Sequence, residues 1–118
     1  MKILGIDDNV DITELLDVVL NVDHDFQYVN SGKEGLKLIQ ENDFDIVLLD
    51  LSMPEFTGLD VIKELSDNGT LSKQKIVLFT ASSMTDSEID ELLKQGAHSC
   101  IRKPIDPDLL LEKLEKLK

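Results

Sequence analysis

Hydrophobic residues follow two alternating spacings along this chain. Short runs rich in β-branched residues predict buried strands, and between them apolar residues recur every three or four positions, as in amphipathic helices. The predicted strands cover residues 3–6, 26–29, 46–49, 75–79 and 99–102. The third run is apolar at every position, which is typical of a strand in the middle of a parallel sheet.

Polar residues between these runs mark where the helices begin and end. Residues 31–34 (SGKE) and 85–88 (TDSE) have the capping-box pattern of a helix start. Asp106 followed by Pro107 predicts the start of the last helix, and Gly96 predicts the end of the helix before it. Five strands, each followed by a helix, predict an α/β fold with a (βα)5 doubly wound, five-stranded parallel sheet. We expect one domain over residues 1–118, with no output domain attached.

The chain is strongly acidic, with a formal net charge of −12 at pH 7. It has no basic face of the kind that binds nucleic-acid phosphates, so no direct contact with nucleic acid is expected. No apolar run approaches the ~20 residues of a membrane-spanning helix, so no membrane contact is expected either. The single cysteine, Cys100, suits a reducing compartment, and we expect a cytoplasmic protein.

Candidate site residues follow four of the predicted strands. They are Asp7 and Asp8 after the first strand, Asp50 after the third, Thr80 after the fourth and Lys103 after the fifth. The carboxyl ends of parallel strands meet at one edge of the sheet, where ligands bind in folds of this class. If the first and third strands are neighbours, three carboxylates converge there, and oxygen ligands of this kind suit Mg²⁺. The simpler interpretation is that Asp7 or Asp8 only caps the first helix.

These residues also carry a family resemblance over essentially the whole chain. The motifs are the pair Asp7-Asp8, the segment DLSMP at 50–54 with Gly58, the pair Thr80-Ala81 and the pair Lys103-Pro104. In this order and at these strand ends, they resemble the response-regulator receiver domains of two-component signalling systems. The resemblance implies the flavodoxin-like strand order 2-1-3-4-5. That order makes the first and third strands neighbours.

The resemblance also implies a role for each acid. Asp50 would accept a phosphoryl group, and Asp8, Asp50 and the backbone carbonyl of Ser52 would hold Mg²⁺. Asp7 would act mainly through a metal-bound water. Such a chain would catalyse only its own phosphorylation and dephosphorylation, and would not be an enzyme for other substrates.

The same resemblance implies roles for the residues around Asp50. Lys103 would contact a phosphoryl oxygen, and Thr80 would move toward the phosphoryl group and report its presence. Ala81 would leave the approach to Asp50 open, and the bond before Pro104 would be cis.

The expected partners follow from the family as well. The donor would be a histidine kinase or a histidine phosphotransfer protein, and a downstream protein would bind the face formed by helix 4, strand 5 and helix 5. The chain departs from the family pattern near that face. Cys100 stands where an aromatic residue is common, and Ile105 stands where Phe is frequent.

Three other functions suit the same topology. A haloacid-dehalogenase-type phosphatase also uses an Asp nucleophile, but it carries a second Asp where this chain has Ser52. A flavodoxin-like electron carrier needs a phosphate-binding loop after the first strand, where the acidic segment 7–9 would repel the phosphate. A receiver-like module that binds partners without phosphorylation would not need the complete set of acids.

Overall fold

The chain forms a five-stranded parallel sheet with helices on both faces. The computed structural model describes residues 1–51, 53, 55–80, 84–103 and 106–117. The strands are β1 (Lys2–Ile6), β2 (Asp25–Val29), β3 (Ile46–Asp50), β4 (Ile76–Thr80) and β5 (Ser99–Arg102). The helices are α1 (Val10–Leu20), α2 (Gly32–Glu41), α3 (Gly58–Asp67), α4 (Asp86–Gln95) and α5 (Pro107–Lys116), with a short 3-10 turn at Leu71–Lys73.

The strand order is β2-β1-β3-β4-β5, which confirms the predicted fold class and order. β1 therefore lies between β2 and β3, and the chain reverses its winding direction there. In the register of β1 with β3, Ile6 pairs with Leu49. The next residues of the two strands, Asp7 and Asp50, thus stand at the same level of the sheet edge. This places the crevice for a ligand at the carboxyl ends of β1 and β3.

The sheet is buried between two aliphatic layers. β3 and β4 are buried at every position, because helices cover both of their faces. One layer joins α1 and α5 to the sheet, and its helix residues are Leu16, Leu20, Leu110 and Leu114. The other layer joins α2, α3 and α4, and its helix residues are Ile39, Val61, Ile62, Leu65 and Leu92.

The two predicted capping boxes have different outcomes. At the start of α4, the Thr85 hydroxyl accepts from the Glu88 backbone, and the Glu88 carboxylate accepts from the Thr85 backbone, as predicted. Ser31 stands at the N-cap of α2, but its side chain makes no capping hydrogen bond, so the box predicted there is wrong. Tertiary packing sets this helix start. A β-carbon on Gly32 would lie only 2.4 Å from the Phe56 carbonyl oxygen.

Two strands extend one residue further at their carboxyl ends than the sequence predicted. β3 includes Asp50, and β4 runs from Ile76 to Thr80 instead of from 75 to 79. Asp50 and Thr80 are therefore strand residues, which limits their backbone freedom.

Among the described helices, none is both long enough and apolar enough to span a bilayer.

Candidate functional site

Three carboxylates meet at the carboxyl end of the sheet. Asp7, Asp8 and Asp50 each offer an oxygen, and these oxygens lie within 4.8 Å of one another. Asp7 and Asp50 are buried at 1% exposure each, whereas Asp8 is exposed. The predicted convergence of the three acids is therefore observed, with one carboxylate on the solvent side and two beneath it.

Lys103 lies over the two buried carboxylates. Its ammonium nitrogen is 3.1 Å from Asp50 Oδ1 and 3.4 Å from Asp7 Oδ2. Its backbone N–H donates to the carbonyl oxygen of Thr80 at 2.8 Å, which holds the residue after β5 against the end of β4. Two elements that are far apart in sequence thus bring a cation to the acid cluster.

Burial and the opposite charges nearby shift the pKa values of Asp7 and Lys103 in opposite directions. Burial raises the pKa of Asp7 to about 6, with a further rise from Asp50; the Asn9 backbone N–H and the Lys103 ammonium lower it in part. Burial lowers the pKa of Lys103, but the carboxylates of Asp7 and Asp50 raise it more, and the net shift is upward. The site therefore favours a cation and disfavours an unpaired negative charge.

Thr80 is fully buried at the end of β4. Its hydroxyl oxygen has no hydrogen-bond partner in the part of the chain that the structure describes. A buried polar group without a partner costs about 1–3 kcal/mol. A ligand oxygen that reached this hydroxyl would remove that cost.

Gly58, the first residue of α3, packs directly against the end of β3. A β-carbon at this position would lie 2.4 Å from the carbonyl oxygen of Asp50 and 2.7 Å from the Cα of Leu51. Only glycine allows the helix to approach the Asp50 backbone this closely. Gly58 belongs to the motif that begins at Asp50, and this close approach is the physical reason for a glycine there.

Neither Asp7 nor Asp8 caps α1, so the capping interpretation is wrong. Asn9 is the N-cap, and its side chain accepts from the Asp11 backbone N–H. The backbone N–H of Asn9 donates to Asp7 Oδ1 at 2.9 Å. Because Asn9 caps the helix, the two acids before it remain available to a ligand.

Several predicted residues lie outside the described part of the chain. These are Ser52, Ala81, Pro104 and Ile105. Their predicted roles, including the carbonyl ligand from Ser52 and the cis bond before Pro104, stay predictions. Cys100 is described: it is partly buried in β5 and packs against the layer that contains α2, α3 and α4.

Sequence reasoning missed two polar residues close to this edge. Arg102 donates from its guanidinium to the carbonyl oxygen of Met84 and to Asp86 Oδ1, both at 2.6 Å, and so links β5 to the start of α4. Asn30 follows β2 and donates to the Asp7 carbonyl oxygen. Asn30 stands directly after β2, so its position in the sequence carries the same signal as those of the site residues after the other four predicted strands.

The chain also resembles known proteins along nearly its whole length. Residues 3–115 match the family described as the response regulator receiver domain. The chemotaxis protein CheY of Listeria monocytogenes is 30% identical over 119 residues, which cover 98% of this chain and 97% of that protein. The transcriptional regulatory protein CpxR homolog of Haemophilus influenzae is also 30% identical, and the alignment covers 98% of this chain but only 49% of the regulator.

The chain thus spans about half the length of that transcriptional regulator. Among solved structures, the receiver domain of the Francisella response regulator 1452 superposes with a TM-score of 0.87 at 26% identity, covering 98% of this chain and 94% of that one. The comparisons support neither the phosphatase nor the electron-carrier alternative. With its fold, its acid cluster and this family match in agreement, the chain belongs to the response regulator receiver domains of two-component signalling.

Proposed function

We propose that Asp50 is the phosphoacceptor of this receiver domain and that Mg²⁺ assists its phosphorylation. The observation that carries the proposal is the juxtaposition of the three acids with Lys103. A carboxylate can act as the nucleophile in phosphoryl transfer when charge around it is neutralised. Asp50 combines burial at a strand end, two acid neighbours and an ammonium group 3.1 Å from its Oδ1.

The acid cluster fits a small divalent cation. Carboxylate oxygens are the hard ligands that Mg²⁺ prefers in proteins. Asp7, Asp8 and Asp50 each offer one such oxygen within 4.8 Å of the other two, and these three acids would hold the cation. When bound, Mg²⁺ would offset the charge of the acids and draw phosphoryl oxygens toward Asp50.

The chain's own groups then have distinct tasks. An Asp50 carboxylate oxygen forms a bond to phosphorus while the bond from phosphorus to the donor atom breaks, and the leaving group keeps the electron pair. The product is a mixed carboxylic–phosphoric anhydride. Lys103 offsets the charge of the transferred group. The Thr80 hydroxyl, which has no hydrogen-bond partner among the described residues, donates to one of its oxygens.

The proposed partners are those that membership of the receiver-domain family implies. The donor is a phosphohistidine in a histidine kinase or a histidine phosphotransfer protein, in the cytoplasm. The target is a protein that binds the face of α4, β5 and α5 when Asp50 carries its phosphoryl group. The chain acts on no other substrate, so it functions as a switch and not as an enzyme in the usual sense.

Chemical phosphorylation tests the assignment of Asp50. With Mg²⁺ and acetyl phosphate, we expect one phosphoryl group per chain, labile to hydroxylamine and visible by intact mass. Asp50→Asn should abolish it. Asp43→Asn is the matched control, because Asp43 is an exposed acid outside the cluster, and it should be labelled like the parent.

Two results would contradict the proposal. One is labelling that persists in Asp50→Asn, and the other is labelling that proceeds undiminished in EDTA. Steady multiple turnover of a phosphate ester would instead favour the phosphatase alternative.

A further inference from the structure

We propose that Asn30 and Thr13 are positioning residues that set the Mg²⁺ affinity of the acid cluster. Neither residue carries a charge, and neither belongs to the motifs that indicated the site. The inference rests on the proposed function, because it concerns the metal step at the same edge of the sheet.

Asn30 connects the end of β2 to the loop that carries the acid pair. Its amide nitrogen donates to the Asp7 carbonyl oxygen at 2.8 Å and to Thr13 Oγ1 at 3.0 Å. Both hydrogens of the amide are therefore used. The backbone contact between the Asp7 N–H and the Val29 carbonyl oxygen, at 3.3 Å, adds a second link between the same segments. Asn30 as a whole is exposed, but its amide group reaches inward.

Thr13 provides the rigid end of this arrangement. It is fully buried in the first turns of α1, and its hydroxyl donates to the Val10 carbonyl oxygen at 3.1 Å while it accepts from Asn30. A buried hydroxyl with both functions used has little freedom to rotate. Through Asn30, the end of β1, the end of β2 and the start of α1 are held to one another.

The position of the Asp7 carbonyl group matters because it belongs to the peptide unit that joins Asp7 to Asp8. This unit is planar, so one hydrogen bond to its oxygen restricts the backbone on both sides. Asp7 is also restrained by burial and by the Asn9 N–H, whereas Asp8 is exposed. Repulsion from the two buried carboxylates favours conformations that carry Asp8 away. The Asn30 bond opposes that movement.

Loss of the Asn30 hydrogen bond should weaken Mg²⁺ binding, and this effect should exceed what the accompanying loss of folding stability would produce. If Asp8 spends less time in the binding position, the apparent Kd rises in inverse proportion to the population that remains there. Residues that orient metal ligands from outside typically contribute 10- to 100-fold in affinity. We expect about a tenfold weaker Mg²⁺ affinity for Asn30→Ala and for Thr13→Val, at the lower end of that range.

The test is a titration of MgCl₂ followed by backbone amide NMR shifts, with melting temperatures measured in EDTA. Thr13→Ser keeps the hydroxyl and should retain the Kd of the parent. Asn42→Ala is the matched control. The Asn42 side chain also donates from Nδ2 to a backbone carbonyl oxygen, that of Leu38 at 3.2 Å, but at the far end of α2. It should lower the melting temperature without changing the Kd for Mg²⁺.

The possible outcomes separate this inference from the proposed function. If the parent binds Mg²⁺ and loses it on Asp8→Ala, while Asn30→Ala binds with an unchanged Kd, the inference is overturned and the proposed function stands. A Kd that rises equally in Asn42→Ala would also overturn it, because the effect would then follow general stability. A parent chain that binds no Mg²⁺ would overturn both.

Discussion

At the scale of the residue, Asp7 combines a carboxyl group with almost complete burial. Its folded-state pKa is about 6, against 3.8 as the usual value. The unfolded chain therefore ionises this group more readily than the folded chain does. The free energy of unfolding without metal should fall as the pH rises from about 4 to about 6, and the full cost should be present above that range.

Asp7→Asn should consequently stabilise the metal-free protein at pH 7.5. The expected gain is about 1–3 kcal/mol in the free energy of unfolding, from the size of the pKa shift. It should shrink toward zero near pH 4, where the folded parent keeps the Asp7 carboxyl protonated and therefore uncharged, like the amide of the variant. Denaturant titrations in EDTA at the two pH values measure this. Asp8→Asn is the comparison, since its exposed carboxylate is solvated and its removal should have a smaller effect.

A lower stability of Asp7→Asn than of the parent at pH 7.5 would show that the contact with Lys103 outweighs burial. In that case burial would not be the largest influence on the pKa of Asp7.

At the scale of the element, the start of α3 packs against the end of β3 and so restricts the position of the Asp50 backbone. Gly58→Ala would force the helix away from the Asp50 carbonyl oxygen, which lies 2.4 Å from the new carbon position. Overpacking of this kind costs about 1–3 kcal/mol, and here it also displaces the backbone of the phosphoacceptor. We expect both lower stability and slower phosphorylation by acetyl phosphate.

Gly69→Ala provides the control for that element. Gly69 has a positive φ of 76°, and a β-carbon there would meet no atom within 4 Å. The substitution should cost about 1–2 kcal/mol through backbone strain alone. It should leave the phosphorylation rate unchanged. Equal rates for the parent and both variants would mean that the packing of Gly58 does not position Asp50.

At the scale of the whole molecule, phosphorylation must change a surface that a partner can read. Cys100 lacks the aromatic ring that commonly moves at this position in the family. Arg102 links the end of β5 to the start of α4, because its guanidinium donates to the Met84 carbonyl oxygen and to Asp86 Oδ1. We therefore expect phosphorylation, or a beryllofluoride mimic, to shift the amide resonances of Thr80 and of residues 84–93 strongly and that of Cys100 weakly.

Two variants check this route by NMR and by partner binding. Thr80→Ala should still be phosphorylated. It should lose most of the amide shifts in α4, because the variant lacks the buried hydroxyl that would move toward the phosphoryl group. Cys100→Ser should retain them. Shifts concentrated at Cys100, with α4 unchanged, would contradict the proposed route.

The sequence by itself determined the order and type of the elements. The 3.6-residue period of the helices and short apolar runs such as Ile46–Leu49 are local properties, so they indicate helices and strands without any knowledge of their neighbours. It also indicated Asp7, Asp8, Asp50, Thr80 and Lys103 as site residues, because each stands at the carboxyl end of a strand. The strand order itself came from the family resemblance and not from the pattern.

Only the tertiary structure decided how the environments of the site residues differ from one another. Adjacent acids have opposite environments, Asp7 buried and Asp8 exposed, because the turn after β1 directs one side chain inward and the other toward solvent. The helix starts show the same limit: Ser31 has the pattern of a cap and makes no capping bond, whereas Thr57 and Asp60 form a capping box that was not predicted.

The bond from Asn30 to the Asp7 carbonyl oxygen joins residues 23 apart in sequence. Its existence depends on the pairing of β1 with β2, which no local pattern encodes. Burial, capping and long-range hydrogen bonds all depend on which segments become neighbours, and that is decided when the sheet assembles.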